Sequence, residues 1–296
     1  MADSGHEPRA PSPNKEHRHG FRPSAEQLAL LSRLERVCFE ASDVASKSPL
    51  GEAYLDLVMG ALIGSCGSNR MHIVGLEKLA RYDRKQSVLL VANHTSFFDF
   101  FIITYILYKR TKLSKNIFFP TRSTFFYDHP LGPAVNLSMS AMRMFPPIMR
   151  EGSKRAFNMW AIDRCVAELR TPGTIVGIHP EGTRNKSGDP YTFLPAQPGA
   201  GKVALEASEI PTIPVFVTGM GNSLPREFVK NWVPGAKTPI DVWFGDPIDF
   251  TDLLPKKHKV TTAKKAAERC VTAISMLGRE QKAYRSGGGL APHGGG

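Results

Sequence analysis

The chain has 296 residues, of which 42% are hydrophobic and 22% are charged, a composition that favours a folded globular protein and excludes a disordered or collagen-like chain. Its 38 lysines and arginines exceed its 27 acidic residues and give a net charge of +11, so we expect a polyanionic partner such as nucleic acid, an anionic membrane or a phosphorylated substrate. The four cysteines are widely spaced without a C-x-x-C pair, which argues against a zinc ribbon and favours reduced thiols.

The two ends of the chain carry little that could be buried. Residues 1–23 are rich in Pro, His, Arg and Ser, and residues 286–296 contain six glycines, so we expect a disordered arm and a disordered tail. The first residues lack the apolar stretch of a secretory signal, and no run reaches the ~18 apolar residues of a membrane-spanning helix. We therefore expect a protein that remains in the cytoplasm, either free or lying peripherally on the cytoplasmic face of a membrane.

Residues 24–68 show helical periodicity. Ser24 is a candidate N-cap, and a second helix is expected to begin after Pro49 and to end near Gly64. Apolar residues recur at intervals of three and four in the first helix: Leu28, Leu31, Leu34 and Cys38. The two helices could simply pack on the main domain, or they could form a membrane-facing element with apolar surface at a bilayer interface.

From residue 69 to residue 285 the pattern is that of an α/β domain. Short apolar runs alternate with helical segments, which predicts a largely parallel sheet flanked by helices. The predicted strands are Met71–Gly75, Ser87–Ala92, Asn116–Pro120, Thr174–Ile178, Pro211–Thr218 and Ile240–Phe244. The predicted helices are Phe97–Tyr108, Ser153–Leu169, Gly199–Ser208 and a basic C-terminal helix, Thr262–Tyr284.

The strand Ser87–Ala92 is followed by a polar turn that contains His94, and Asp99 comes five residues later. Sites of open α/β sheets lie at the carboxyl ends of strands. A carboxylate bonded to one nitrogen of an imidazole leaves the other nitrogen free to accept a proton, so this pair could act as a general base toward a hydroxyl. The segment alone also fits a histidine that caps a helix and an aspartate that pairs elsewhere.

The strand Thr174–Ile178 is followed by a turn that runs from His179 to Gly188. Arginine offers a planar fork of donors, and glycine lets backbone N–H groups approach a ligand, so this turn is suited to gripping a phosphate. A surface turn with solvated charges is the alternative.

Together these segments resemble the glycerolipid acyltransferase family, the 1-acylglycerol-3-phosphate acyltransferases and their relatives. The Asn-His-x-x-x-x-Asp block at 93–99 and the Pro-Glu-Gly-Thr-Arg block at 180–184 are similar to its first and third signature blocks. Residues 144–150 resemble the second block and residues 210–215 the fourth. His179 departs from the pattern, because the family usually carries Phe or Val there.

The resemblance implies transfer of an acyl group from a thioester, acyl-CoA or acyl-carrier protein, to a lysophosphatidate-type hydroxyl in phospholipid synthesis. His94 would be the general base and Asp99 its support. The residues implied in substrate binding are Asn93, Arg150, Glu181, Gly182, Thr183 and Arg184. The implied reaction requires neither a metal nor a cofactor.

Other functions stay open at this point. The acceptor could be glycerol-3-phosphate or another lysolipid, or the chain could be an inactive module that binds a membrane surface. Nucleic acid is a poorer partner, because the sequence contains no helix-turn-helix, zinc-finger or aromatic RNA-binding signature. The resemblance implies a lysophospholipid and an acyl thioester as partners, and the positive charge is consistent with an anionic membrane surface.

Overall fold

The computed structural model describes residues 21–48, 50–113, 115–122, 132–149, 151–235 and 238–287. Residues 1–20 of the expected arm and 288–296 of the expected tail lie outside this part of the chain. Nine helices are named here in chain order: α1 Ala25–Ala29, α2 Arg33–Ser46, α3 Gly51–Met59, α4 Asp99–Arg110, α5 Gly132–Ala141, α6 Arg155–Leu169, α7 Pro198–Glu206, α8 Leu224–Trp232 and α9 Val260–Arg285. The strands are β1 Met71–Val74, β2 Val88–Ala92, β3 Asn116–Phe118, β4 Thr121–Arg122, β5 Pro147–Ile148, β6 Thr174–Ile178, β7 Thr212–Thr218 and β8 Ile240–Phe244.

The main sheet has six strands in the order β1-β8-β7-β2-β6-β3. All neighbours are parallel except β7 and β8, which are antiparallel. The six predicted strands are these six, and the predicted α/β fold class is confirmed. A parallel pair of two short strands, β4 and β5, forms a separate small sheet.

The central strand β2 lies between β6 and β7, and all five of its residues are buried. Its side chains alternate between two hydrophobic clusters. Val88 and Leu90 pack into the cluster that contains α4, whereas Leu89 and Val91 pack into the cluster that contains α6, α7 and α9. Because β2, β6 and β7 are parallel, the loops that leave their carboxyl ends meet at one edge of the sheet.

The N-terminal region differs from the expected pair of helices. Ser24 does cap a helix, but that helix ends after one turn, and a second capping box formed by Ser32 and Glu35 starts α2. This restart changes the helical phase, since Phe39 is buried and Leu34 is 54% exposed. The four apolar residues of the predicted periodicity therefore do not share one face, because Leu31 is buried and Leu34 is exposed.

The next helix is longer than α3 alone. A π-helical turn at Gly60–Gly64, a helical turn at Ser65–Gly67 and a 3-10 turn at Ser68–Arg70 carry the chain directly into β1. Within the described ranges, no helix is both long and apolar enough to cross a membrane.

Candidate active site

The loop between β2 and α4 is shaped by Asp99, the first residue of α4. Its Oδ2 accepts hydrogen bonds from the backbone N–H groups of Thr95, at 2.7 Å, and Ser96, at 2.8 Å. These N–H groups precede the helix, so the carboxylate closes a tight turn at the positive end of α4. The turn brings the side chain of His94 back over Asp99.

His94 Nδ1 lies 3.2 Å from Asp99 Oδ2. The His94 side chain is 20% exposed, whereas that of Asp99 is 2% exposed. Burial raises the pKa of Asp99 to about 7, although the two backbone N–H bonds favour its ionised form. When Asp99 is ionised, Nδ1–H donates to it and Nε2 is left able to accept a proton.

A second imidazole lies against the first. The rings of His179 and His94 are stacked, with centroids 3.8 Å apart and planes 7° from parallel. His179 Nδ1–H donates to the carbonyl oxygen of Ala92 at 2.9 Å, which fixes its tautomer. Burial lowers the pKa of His179 to about 3, helped by the neighbouring His94, so the ring is neutral at physiological pH.

Glu181 ties the β6 loop to the β2 loop from a buried position. Its Oε1 accepts from the N–H of His94 at 3.1 Å, and its Oε2 accepts from the N–H of Leu194 at 2.9 Å. In return the N–H of Asn185 donates to the carbonyl oxygen of His94 at 2.7 Å. Burial raises the pKa of Glu181, and the two N–H bonds oppose that effect. The backbone of His94 is thus held on both sides.

Asn93 is fully buried beneath the site. Its Nδ2 donates to the carbonyl oxygen of Val217 at 2.8 Å, and its Oδ1 accepts from the N–H of the same residue at 2.8 Å. Both polar groups of the side chain therefore join the end of β2 to β7.

The remaining residues of the second motif form the outer part of the same loop. Gly182 has a φ of +65°, where side chains are strained, and a Cβ there would meet the Cγ of Gln197 at 2.9 Å. Thr183 and Arg184 are partly exposed. No carboxylate within the described residues forms an ion pair with Arg184, so a structural pair with Glu181 is not what holds this side chain.

Asn222, which the sequence motifs did not reveal, completes the site from the end of β7. Its Oδ1 accepts from the N–H of Phe97 at 2.7 Å and lies 3.3 Å from Ser96 Oγ and 3.5 Å from Arg184 Nη1. The sequence could have indicated Asn222 only through its position four residues after β7, because the loop that follows β7 lies at the same edge of the sheet as the loops after β2 and β6.

Arg150 is the one predicted site residue that lies outside the described residues; the short strand β5 ends two residues before it. Among the residues that the structure describes, no group of three or more His, Cys, Asp or Glu side chains could hold a metal ion.

Comparison with known proteins gives a match to a family model and a match to a curated relative. Residues 70–218, about half of the chain, match the sequence model of the Acyltransferase family. A segment of 75 residues is 35% identical to the Caenorhabditis elegans protein named "Putative 1-acyl-sn-glycerol-3-phosphate acyltransferase acl-2", and it covers 25% of each chain. The family match contains the His94–Asp99 pair and the whole loop from His179 to Arg184, and its length places this chain in the Acyltransferase family.

Proposed function

We propose that this protein transfers a fatty acyl group from an acyl thioester, acyl-CoA or acyl-carrier protein, to the hydroxyl of a lysophosphatidate-type glycerolipid. The observation that carries the proposal is the contact between His94 Nδ1 and Asp99 Oδ2 at the carboxyl end of β2. Family membership supports acyl transfer, and the name of the C. elegans relative supports the choice of acceptor.

In the proposed reaction, His94 Nε2 takes the proton of the acceptor hydroxyl while the hydroxyl oxygen attacks the thioester carbonyl carbon. Ionised Asp99 stabilises the imidazolium that forms. The tetrahedral intermediate then collapses, the carbon–sulfur bond breaks, and the departing thiolate takes the proton from His94. The acceptor itself is the nucleophile, so the step forms no covalent enzyme intermediate.

Arg184 is proposed to bind the acceptor phosphate. Its guanidinium is partly exposed, lies close enough to the His94–Asp99 pair to interact electrostatically with Asp99, and can pair with a phosphate through two donors. Thr183 adds a hydroxyl, and Gly182 lets the backbone come close to an oxyanion. Arg150 remains proposed as a second positive charge.

The family resemblance implies that Glu181 and Asn93 contact the substrate directly. In this proposal they have a different role. Both side chains are buried, and their polar atoms already bind backbone groups of Leu194, Val217 and His94. We therefore assign them to positioning His94.

The proposal includes contact with an anionic membrane, where a lysolipid acceptor resides. Apolar side chains are exposed on α2, on α3 and at the residue that precedes α3: Leu34, Val37, Val44, Leu50 and Leu57. The same helices contribute Phe39 and Leu55 to the core, so they are an integral part of the fold. Location on the cytoplasmic face stays a prediction from sequence.

The test is an acceptor panel with one long-chain acyl-CoA. Lysophosphatidate, glycerol-3-phosphate and a lysolipid without a phosphomonoester are compared by thiol release, and the products are identified by mass. The proposal predicts acylated product with lysophosphatidate as the best acceptor. Product with a different acceptor alone would correct the substrate class, and binding to vesicles without product from any acceptor would favour the inactive membrane-binding module.

A further inference from the structure

Helix α8 turns its polar face inward and its apolar face outward, which is the reverse of an ordinary surface helix. It buries two polar residues, Glu227 and Asn231, and it exposes Phe228, Val229 and Trp232, the aromatic pair being 49% and 55% exposed. A surface helix of a globular protein normally turns its apolar stripe toward the core. The outward apolar stripe of α8 therefore marks a surface that meets something else.

This orientation is fixed by specific polar contacts. Buried Arg70 forms an ion pair with Glu227, and Lys230 Nζ lies 3.0 Å from the second oxygen of that carboxylate. Burial opposes the ionisation of Glu227, but hydrogen bonds from Arg70 and Lys230 hold its pKa below the ordinary value. A helix rotated to bury Phe228 would expose or break this pair, at the cost of leaving a charge buried without its partner.

Asn231 and Trp232 anchor the other end of α8. Asn231 Oδ1 accepts from the N–H of Asn69 at 2.9 Å, and its Nδ2 donates to the carbonyl oxygen of Ser65 at 2.9 Å. Trp232 Nε1 donates to the same carbonyl at 2.8 Å. The indole is thus held in place while its ring remains exposed, and its centroid lies 6.3 Å from that of Phe228.

The charge on the outward face of α8 is positive. Glu227 is the only acidic residue in the helix, and it points inward, where Lys230 pairs with it; Arg226 is exposed on the outward face. Aromatic side chains beside basic ones are suited to the boundary between the headgroups and acyl chains of an anionic bilayer. A chain with a net charge of +11 adds a general attraction to that surface.

The helix also lies close to the candidate active site. Leu224 begins α8 two residues after Asn222. The Oδ1 of Asn222 accepts from the loop between β2 and α4 and lies 3.5 Å from Arg184 Nη1. A lipid acceptor that leaves a bilayer beneath α8 would therefore enter next to the guanidinium proposed to bind its phosphate.

We infer that the outward face of α8, formed by Arg226, Phe228, Val229 and Trp232, docks on an anionic lipid surface. The choice of a lipid as occupant rests on the proposed function, but the docking itself can be measured without any acyl transfer.

The experiment uses the fluorescence of Trp232. The other two tryptophans, Trp160 and Trp243, are buried, so a shift in emission on adding vesicles reports mainly on Trp232. Vesicles of phosphatidylcholine and phosphatidylglycerol are compared with vesicles of phosphatidylcholine alone, and bound protein is measured by co-sedimentation. Acyl transfer to lysophosphatidate in detergent micelles is measured in parallel, because it tests the proposed function separately.

The inference predicts a blue shift with the anionic vesicles and weaker binding as salt rises. Phe228→Ser combined with Val229→Ser should reduce the vesicle partition coefficient by about tenfold or more. The matched control is Val260→Ser combined with Met276→Ser, which removes two similarly exposed apolar side chains from α9, and it should bind like the wild type. Thermal melting checks that both variants fold.

Three results would overturn the inference. Equal vesicle binding by the α8 variant and the α9 control would show that α8 does not dock on lipid. A dimer that dissociates in the α8 variant, without vesicle binding by the wild type, would make a second copy of the chain the occupant. Activity in micelles without vesicle binding would contradict the inference and leave the proposed function in place. Vesicle binding that depends on α8, without activity, would support the inference and contradict the proposed function.

Discussion

The imidazole of His179 lies flat against that of His94, with ring centroids 3.8 Å apart. His94 contacts Asp99 through Nδ1, and His179 donates its own Nδ1–H to the carbonyl oxygen of Ala92. The neutral second ring therefore fixes the plane of the first one and leaves the polar contacts of His94 undisturbed. The geometry makes His179 a positioning residue for the proposed base.

His179→Phe should preserve catalysis better than His179→Ala. Phenylalanine keeps a flat ring against His94, whereas alanine opens a gap that lets the base move, and a misplacement of about 1 Å can cost on the order of 10²-fold in rate. We expect kcat to fall by about 10- to 100-fold in the alanine variant and to recover to within a few-fold of wild type in the phenylalanine variant. Equal kcat values for both variants would contradict the role of stacking.

His179→Phe should also change how the Tm of the protein responds to acid. The pKa of His179 is lowered from 6.5 to about 3 in the folded protein, so the unfolded state takes up a proton first as pH falls. The contribution of His179 to the free energy of unfolding is therefore fully present above pH 6.5 and is lost as pH drops toward 3. His179→Phe should lose less Tm than the wild type between about pH 7 and pH 5. An unchanged acid response would show that His179 does not carry this loss.

Asp99→Asn should separate activity from stability. Removal of the negative charge takes away the support for the imidazolium, and we expect kcat to fall by about 10²- to 10⁴-fold. The pKa of Asp99 is raised from 3.8 to about 7 in the folded protein, so its contribution to stability is present below pH 3.8 and is lost as pH rises through 7. The variant should therefore melt no lower than the wild type at about pH 8. A large drop in Tm at that pH would show that the carboxylate is mainly structural.

Arg184→Lys should raise the KM of the acceptor while the KM of the thioester stays nearly constant. Lysine keeps the charge but loses the bidentate fork, and a group that binds the acceptor in the ground state acts on KM more than on kcat. Both KM values and the Tm are measured. A lower Tm with equal losses for both substrates would assign Arg184 a structural role.

Asn222→Ala should weaken acceptor binding through Arg184. Asn222 Oδ1 accepts from the N–H of Phe97 and lies next to Arg184 Nη1, so its loss frees the guanidinium and leaves that N–H to solvent. We expect the acceptor KM to rise by about 3- to 10-fold, with kcat less affected. The effect should be much smaller in an Arg184→Lys background, since residues in contact are coupled. Additive effects in the double variant would contradict this connection.

The fold could be predicted because the strands of the main sheet are short, mostly apolar runs bounded by polar turns. The sequence also indicated that His94 and Arg184 each follow a strand, and the pairing of β2 with β6 places the two loops at the same edge of the sheet. The restart of the N-terminal helix at Ser32 was missed, because a capping box within a helical pattern competes with the periodicity around it.

Tertiary partners explain what the sequence left open at the site. The sequence suggested that Asn93 and Glu181 bind a ligand, but their side chains bind the backbone of Val217 and of His94, which are distant from them in the chain. Asn222 belongs to no local motif, and its role depends on the loops of two other strands. The outward aromatic residues of α8 depend on Arg70, 157 residues away from Glu227 along the chain.

The most direct test of the account is lysophosphatidate-dependent thiol release from a long-chain acyl-CoA by the wild type and by His94→Ala. The account predicts turnover by the wild type and a loss of about 10²- to 10⁴-fold or more in the variant, because general-base assistance is typically worth that much. The Tm of the variant, measured in parallel, should stay close to that of the wild type. Full turnover by a folded His94→Ala protein would contradict the proposed mechanism.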